Sequence, residues 1–259
     1  MPKFTSHPHG SPNWIDLSAA DAAAAGRWYA ELFGWSCEAQ DTHGGPPYWM
    51  FYLDGEIVAG MGQLRDELKA AGVPPTWNTY VAVDDCDAAY AKALELGGTS
   101  VVPPMDVFDD GRMAWFTDTE GASVAVWQPN EHIGVTLANE PDTWCWNELG
   151  SRDHAAAGAF YGKVFGWTTE PGGPGMTTFR RSDGAEIAHA LELSEDMGEM
   201  PPMWNIYFSV ADCDATVATA KATGGTVIVP GTDISVGRFA LLADPQGAMF
   251  YVIELSSPS

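Results

Sequence analysis

Apolar and polar residues alternate along this chain with two periods. After Asp21, the residues Ala22, Ala25, Gly26, Tyr29, Leu32 and Phe33 recur three or four positions apart, which puts them on one stripe of an α-helix. Asp21 stands where an N-cap is needed, and Gly34 where a left-handed C′ residue ends the helix. Around this helix the period drops to two. Short runs at Trp14–Leu17, Trp35–Ala39, Tyr48–Leu53 and Glu56–Leu64 read as strands. The order then recurs: a strand at Trp77–Val83, a helix from Asp85 to Leu96 closed by Gly97 and Gly98, and strands at Thr99–Val102, Arg112–Thr117 and Ser123–Trp127. Beyond residue 142 the same series runs again. It starts with a strand at Trp146–Leu149, a helix at Asp153–Phe165 and strands near Trp167, at Thr177–Arg181 and at Ala185–Leu191. It continues with a strand at Trp204–Val210, a helix at Asp212–Thr223 and strands at Thr226–Val229, Arg238–Ala243 and Met249–Ile253. The prediction is an α+β chain of four βαβββ units.

The second half repeats the first residue by residue. Trp14, Leu17, Asp21, Gly26, Tyr29, Phe33, Gly34 and Trp35 match Trp146, Leu149, Asp153, Gly158, Tyr161, Phe165, Gly166 and Trp167 at a constant offset of 132. Pro74–Asp87 matches Pro201–Asp214 at an offset of 127. The duplication divides the chain into an arm at 1–11, a first domain at 12–130, a linker at 131–141 and a second domain at 142–256. Gly26 costs about 1 kcal/mol in mid-helix relative to Ala. Its recurrence as Gly158 predicts a close approach of helix to sheet.

Charge narrows the partners. With 35 acidic and 12 basic residues the net charge is −23, a field that repels phosphate backbones and anionic headgroups. Neither nucleic acid nor a membrane surface is an expected partner. The four cysteines form no C-x-x-C pair, so they read as thiols rather than as a zinc site. The opening residues lack an apolar signal-peptide core, and no run of 18 apolar residues occurs. A cytoplasmic location is expected. His7 and His9, in the Pro/Gly-rich arm, read as part of a flexible lead-in.

The motif D-x7-Y-x3-FGW, present at Asp21–Trp35 and Asp153–Trp167, and the D-x-x-G turns at Asp118–Gly121 and Asp244–Gly247 resemble the vicinal oxygen chelate superfamily. That superfamily includes glyoxalases, bleomycin-resistance proteins and extradiol dioxygenases. The tandem layout is similar to an actinobacterial subgroup of glyoxalase-like antigens and antibiotic-pathway proteins called hydroxylases. The resemblance implies two cups, each curled from a pair of βαβββ units, with ligands inside. It also implies metal ligands on the opening and closing strands. Those positions fall on Trp14, Asn78 and Ala125 in the first half, and on Trp146, Asn205 and Tyr251 in the second. A divalent ion needs about three ligands such as His, Asp, Glu or Cys, so neither a metal nor another cofactor is expected.

Strand alternation assigns the linings. Trp14, Asp16, Asn78, Tyr80 and Trp127 face the first cup, with Gly60 and Gly62 leaving room on the facing strand. Trp146, Glu148, His189, Asn205, Tyr207, Tyr251 and Ile253 face the second. Such walls suit a flat, mostly apolar molecule, or else simply fill the barrel. His189, opposite Glu148 and near Tyr251, is the catalytic candidate, as a general acid or base; a core histidine is the alternative. Arg112 and Arg238 are placed to clamp an anionic group at the mouths, or to pair with the many carboxylates. His154 is expected to be exposed, and His132 to lie in the linker without a role. The function expected is metal-independent binding of an aromatic or polyketide-like small molecule, for resistance, sequestration or an auxiliary biosynthetic step, by a monomer or homodimer. Two alternatives remain open. One is a glyoxalase- or dioxygenase-type enzyme, with unusual metal ligands or acid–base chemistry through His189 and Glu148. The other is a structural protein with plugged cups.

Overall fold

The structure is a computed structural model that describes residues 3–194 and 200–256. The first half forms one eight-stranded sheet from β1 (Pro12–Ala19), β2 (Ser36–Ala39), β3 (Tyr48–Leu53), β4 (Glu56–Gln63), β5 (Thr76–Ala82), β6 (Thr99–Val107), β7 (Gly111–Thr117) and β8 (Ser123–Pro129). Its strand order is β2-β3-β4-β1-β5-β8-β7-β6. Each βαβββ unit thus contributes four adjacent strands, 2-3-4-1 and 5-8-7-6, and the units meet along the antiparallel β1–β5 seam. Helices α1 (Ala22–Phe33) and α3 (Cys86–Glu95) follow the first strand of each unit. A short helix α2 (Asp66–Ala70), not predicted, precedes β5.

The second half reproduces this order. Strands β9 (Thr143–Ser151), β10 (Thr168–Gly173), β11 (Met176–Arg180), β12 (Glu186–Glu192), β13 (Met203–Ser209), β14 (Thr226–Ile234), β15 (Gly237–Ala243) and β16 (Met249–Leu255) form a second sheet, with α4 (His154–Phe165) and α5 (Cys213–Ala222). The first strand of each half is longer than the predicted four-residue core. It begins before a bulge at residues 12–14 in β1 and pairs on both sides, with β4 and β5.

Local chemistry explains the helices. The Asp21 carboxylate accepts the Ala24 N–H at 3.0 Å, and Gly34 closes α1 at φ 71° with its N–H on the Ala30 carbonyl. Gly26 is needed for contact: a Cβ there would lie 3.1 Å from the Cys37 sulfur, and one at Gly158 would lie 2.9 Å from Thr169. The predicted close packing of helix on sheet holds in both halves.

The helix-covered faces of the two sheets share their core. Trp28, Tyr29 and Phe33 of α1 pack with Phe208 and Phe250 of the second half, and Phe116 of the first half packs with Phe160 and Phe165 of α4. The Tyr of the D-x7-Y motif makes the polar seam. Tyr29 donates to Asp244 of the opposite half at 3.3 Å and accepts from the Trp77 indole at 2.9 Å. Tyr161 donates to Asp118 at 2.8 Å and accepts from Trp204 at 2.9 Å. The other oxygen of each Asp binds N–H groups of its own D-x-x-G turn. Gln246 in the same turn holds the backbone of Asp21, and Glu120 receives the N–H groups of Arg152 and Asp153. Each half therefore caps the helix start of the other.

The arm is not the flexible lead-in expected. Phe4 N–H bonds to Thr136, the His7 ring contacts the Val135 carbonyl at 2.9 Å, and Gly10 pairs with Ala82. Among the described residues no helix is long and apolar enough to cross a membrane.

Candidate functional site

Both concave faces are built on the same four strand positions. In the first, Cα register aligns Gly60, Asp16 and Asn78 in one row and Trp14, Tyr80 and Ala125 in the next. In the second, His189, Glu148 and Asn205 form the first row and Trp146, Tyr207 and Tyr251 the other. Residues expected on one face by strand alternation are neighbours across these rows.

The first cup is closed on itself. Asp16 is buried, 7% exposed, and accepts Asn78 Nδ2 at 2.8 Å, Tyr80 Oη at 2.9 Å and Tyr48 Oη at 3.1 Å. Burial pushes its carboxyl up, and these three donors pull it back. Asn78 also reaches Ser18, and the Trp14 indole donates to the Tyr48 hydroxyl at 3.2 Å. The space expected over Gly60 is therefore occupied: a Cβ there would lie 2.1 Å from Tyr48 Oη and 2.6 Å from Trp14. Sequence reasoning missed Tyr48, although its even-numbered register with Met50 on β3, opposite Gly62 and Gly60, marks it as inward-facing. It also left His132 without a role. The His132 ring stands edge-on to Trp14, with centroids 4.5 Å apart, and its carbonyl accepts the Trp127 indole. Burial lowers this histidine to about 4, so it is neutral at neutral pH.

The second cup has the same polar set with fewer internal partners. Tyr207 donates to Glu148 Oε1 at 3.1 Å and stacks on Tyr251, with centroids 4.4 Å apart. Burial pushes the Glu148 carboxyl up to about 7. Among the described residues Glu148 Oε2, the Asn205 amide and the Trp146 indole N–H have no hydrogen-bond partner, and none of these atoms is sealed from solvent. A groove of about 220 Å³ lies beside Trp146, lined also by Phe4, His7, Trp144, Arg181 and Glu186.

Three expectations need correction. His189 does not pair with Glu148, although their Cα atoms are in register; its Nε2 lies 3.0 Å from Glu186 Oε1, and its ring sits against Trp146. Glu186 is three residues back, and the bulge opposite Phe179 and Arg180 turns it onto the face of His189. Arg112 and Arg238 are not clamps at a mouth. Arg112 binds Asp87 and Asp106, and Arg238 binds Asp214 and Asp233, the pairing an acidic chain favours. His154 is half-buried, with Nδ1 2.6 Å from the Thr177 hydroxyl, rather than exposed.

The model of the "Glyoxalase/Bleomycin resistance protein/Dioxygenase superfamily" matches residues 11–126, and that of the "Glyoxalase-like domain" matches residues 147–253. A Mycobacterium tuberculosis protein named "Putative glyoxylase CFP32" is 44% identical over 98% of both chains. The chain belongs to the glyoxalase/bleomycin resistance protein/dioxygenase superfamily. A second relative within it, "Anthracycline biosynthesis protein DauV" of Streptomyces sp. (strain C5), is 35% identical and covers 97% of this chain and 96% of its own. Among solved structures, the 2,3-dioxygenase LapB from Pseudomonas sp. KL28 shares the fold at a TM-score of 0.63 and 12% identity, over 95% of this chain and 93% of its own.

Enzymes of the superfamily hold a metal in the cup, and the residues here do not fit one. In the first cup the Asp16 oxygens are taken by three donors, and Trp14, Asn78 and Ala125 offer no anionic or imidazole ligand. In the second, Glu148 and His189 point to different partners, and no group of three His, Cys, Asp or Glu suited to a metal occurs among the described residues.

Proposed function

We propose that this protein binds a small aromatic molecule in its second cup without using a metal ion. The observation that carries the reading is the contrast between copies. Trp14, Asp16 and Asn78 are satisfied from within the first cup, whereas Trp146, Glu148 Oε2 and Asn205 have open hydrogen-bonding capacity at the same positions. Partly buried polar groups without partners cost free energy unless water or a ligand meets them. The Trp146, Tyr207 and Tyr251 rings supply the flat apolar wall. The groove of about 220 Å³ beside Trp146 offers room for a larger body. The name of the relative DauV, from anthracycline biosynthesis, agrees with an aromatic polyketide as the larger case. Binding of this kind serves resistance, sequestration or an auxiliary biosynthetic step.

The test is a tryptophan fluorescence titration with a panel of planar one- to three-ring aromatics. Saturable quenching is expected, weakened in Trp146→Ala and retained in Trp127→Phe. No quenching by any member of the panel would defeat the reading.

A second reading is favoured by one observation, the Glu148 carboxyl held near 7. A group with that affinity both gives and takes protons at neutral pH, so acid–base turnover of the bound aromatic would run through Glu148 rather than His189. A pH–rate profile with an inflection near 7, lost in Glu148→Gln, distinguishes turnover from binding alone.

A further inference from the structure

The first cup contains a phenol. It belongs to Tyr48, which reaches in from β3, lies over Gly60 and Gly62, and puts its hydroxyl between two groups. That hydroxyl donates to Asp16 Oδ2 at 3.1 Å and accepts from the Trp14 indole at 3.2 Å. Tyr80 donates to the same carboxylate oxygen and Asn78 to the other. A phenol hydroxyl held by one acceptor and one donor, against an aromatic wall, is a complete recognition site.

The second cup carries the same recognition set without the phenol. Trp146, Glu148, Tyr207 and Asn205 stand where Trp14, Asp16, Tyr80 and Asn78 stand, and Tyr207 donates to Glu148 as Tyr80 does to Asp16. The residue aligned with Tyr48 by strand pairing is Met176: Tyr48 opposes Gly62, and Met176 opposes Leu191. No hydroxyl arrives from that strand position.

Two differences between the copies change the site. Gly60 is replaced by His189, and since a Cβ at Gly60 would lie 2.1 Å from the Tyr48 oxygen, a ring in the second cup cannot sit as Tyr48 does. Asp16 is replaced by Glu148, which is longer by one methylene. Tyr207 holds one Glu148 oxygen and leaves the other open.

From this correspondence we infer that the ligand of the second cup is a phenol, its hydroxyl donating to the open Glu148 oxygen and accepting from the Trp146 N–H. The inference rests on the proposed aromatic-binding function and specifies its chemistry. The hydroxyl, not the ring alone, provides selectivity. A site built to pair with a hydroxyl rejects the analogue that cannot donate, because its own polar groups are then left unpaired.

The test compares 1-naphthol, its methyl ether 1-methoxynaphthalene, and naphthalene by isothermal titration at pH 8, where Glu148 is largely ionised. Wild-type protein is expected to bind 1-naphthol about tenfold or more tightly than the ether. In Glu148→Gln the preference should shrink to about threefold or less. Trp146→Phe, which keeps the ring and loses the N–H, should also reduce it. Far-UV circular dichroism and the thermal midpoint report whether each variant is folded. Tyr48→Phe acts in the first cup and should leave the preference unchanged. Equal affinity of 1-naphthol and its ether in wild type would overturn the phenol inference while the aromatic-cup reading stood. Failure of all three probes would overturn that reading itself. A preference kept in both second-cup variants but lost in Tyr48→Phe would overturn the placement of the site.

Discussion

The hydroxyl of Tyr29 in the first half lies 3.3 Å from the carboxylate of Asp244 in the second, and the Trp77 indole donates to it from the other side. Tyr161 and Asp118 make the reciprocal bond at 2.8 Å. All four residues are buried. The two halves are thus joined by hydrogen bonds that neither can make alone, set within a shared aromatic core.

Removing one of these hydroxyls should be costly. Tyr161→Phe leaves the Trp204 N–H and one Asp118 oxygen without their partner in a buried site. A loss of about 1–3 kcal/mol is expected, read as a lower urea midpoint. Because the bond crosses the halves, both should still unfold in a single transition. A shift below about 0.5 kcal/mol would show that the seam is held by packing alone.

Gly60→Ala probes the plug of the first cup. Its Cβ would meet Tyr48 Oη at 2.1 Å, an overlap that displaces the tyrosine and costs about 1–3 kcal/mol. Tyr48→Ala removes the obstacle. The double variant should therefore be less destabilised than the sum of the two single changes, a non-additivity measured by a thermodynamic cycle.

Stability should depend on pH through Glu148. Its folded value is raised to about 7 from an ordinary 4.5, so the native state binds the proton more tightly than the unfolded chain. That contribution is fully present below about pH 4.5 and is lost as the pH rises through about 7. Glu148→Gln removes it. Allowing for partial solvent screening, the stability of wild type relative to the variant should fall by on the order of 1–3 kcal/mol between pH 4.5 and 8. Parallel pH curves for the two proteins would show an ordinary carboxylate.

Arg112→Met should do little. Arg112 pairs with Asp87 and Asp106, both mostly exposed, and such pairs contribute about 0–1 kcal/mol. Aromatic affinity should be unchanged within about twofold, and a larger loss would return this residue to the ligand site.

Much of this protein was legible from repetition and period. The helix caps at Asp21 and Asp153, the glycine contacts at Gly26 and Gly158 and the strand faces of Asp16 and Glu148 follow from local chemistry that one strand or helix contains. What was not legible depends on reach. His189 turns to Glu186 because a bulge brings a residue three positions back onto its face, where alternation alone puts Glu186 on the other. Tyr48 was invisible for a related reason: glycine at 60 reads as a vacancy until the side chain that fills it is known. The bonds of Tyr29 and Tyr161 cross between halves, and a repeat alignment compares the copies without bringing them into contact.

Reciprocal capping also constrains how the duplicated chain can change. The D-x-x-G turn of one copy serves the helix of the other, so a substitution there is answered across the seam and the two copies must drift together at that boundary. Their concave faces are under no such bond. One copy can keep a tethered tyrosine as ballast while the other is remade for a visitor, and neither alteration loosens the joint that keeps them a single body.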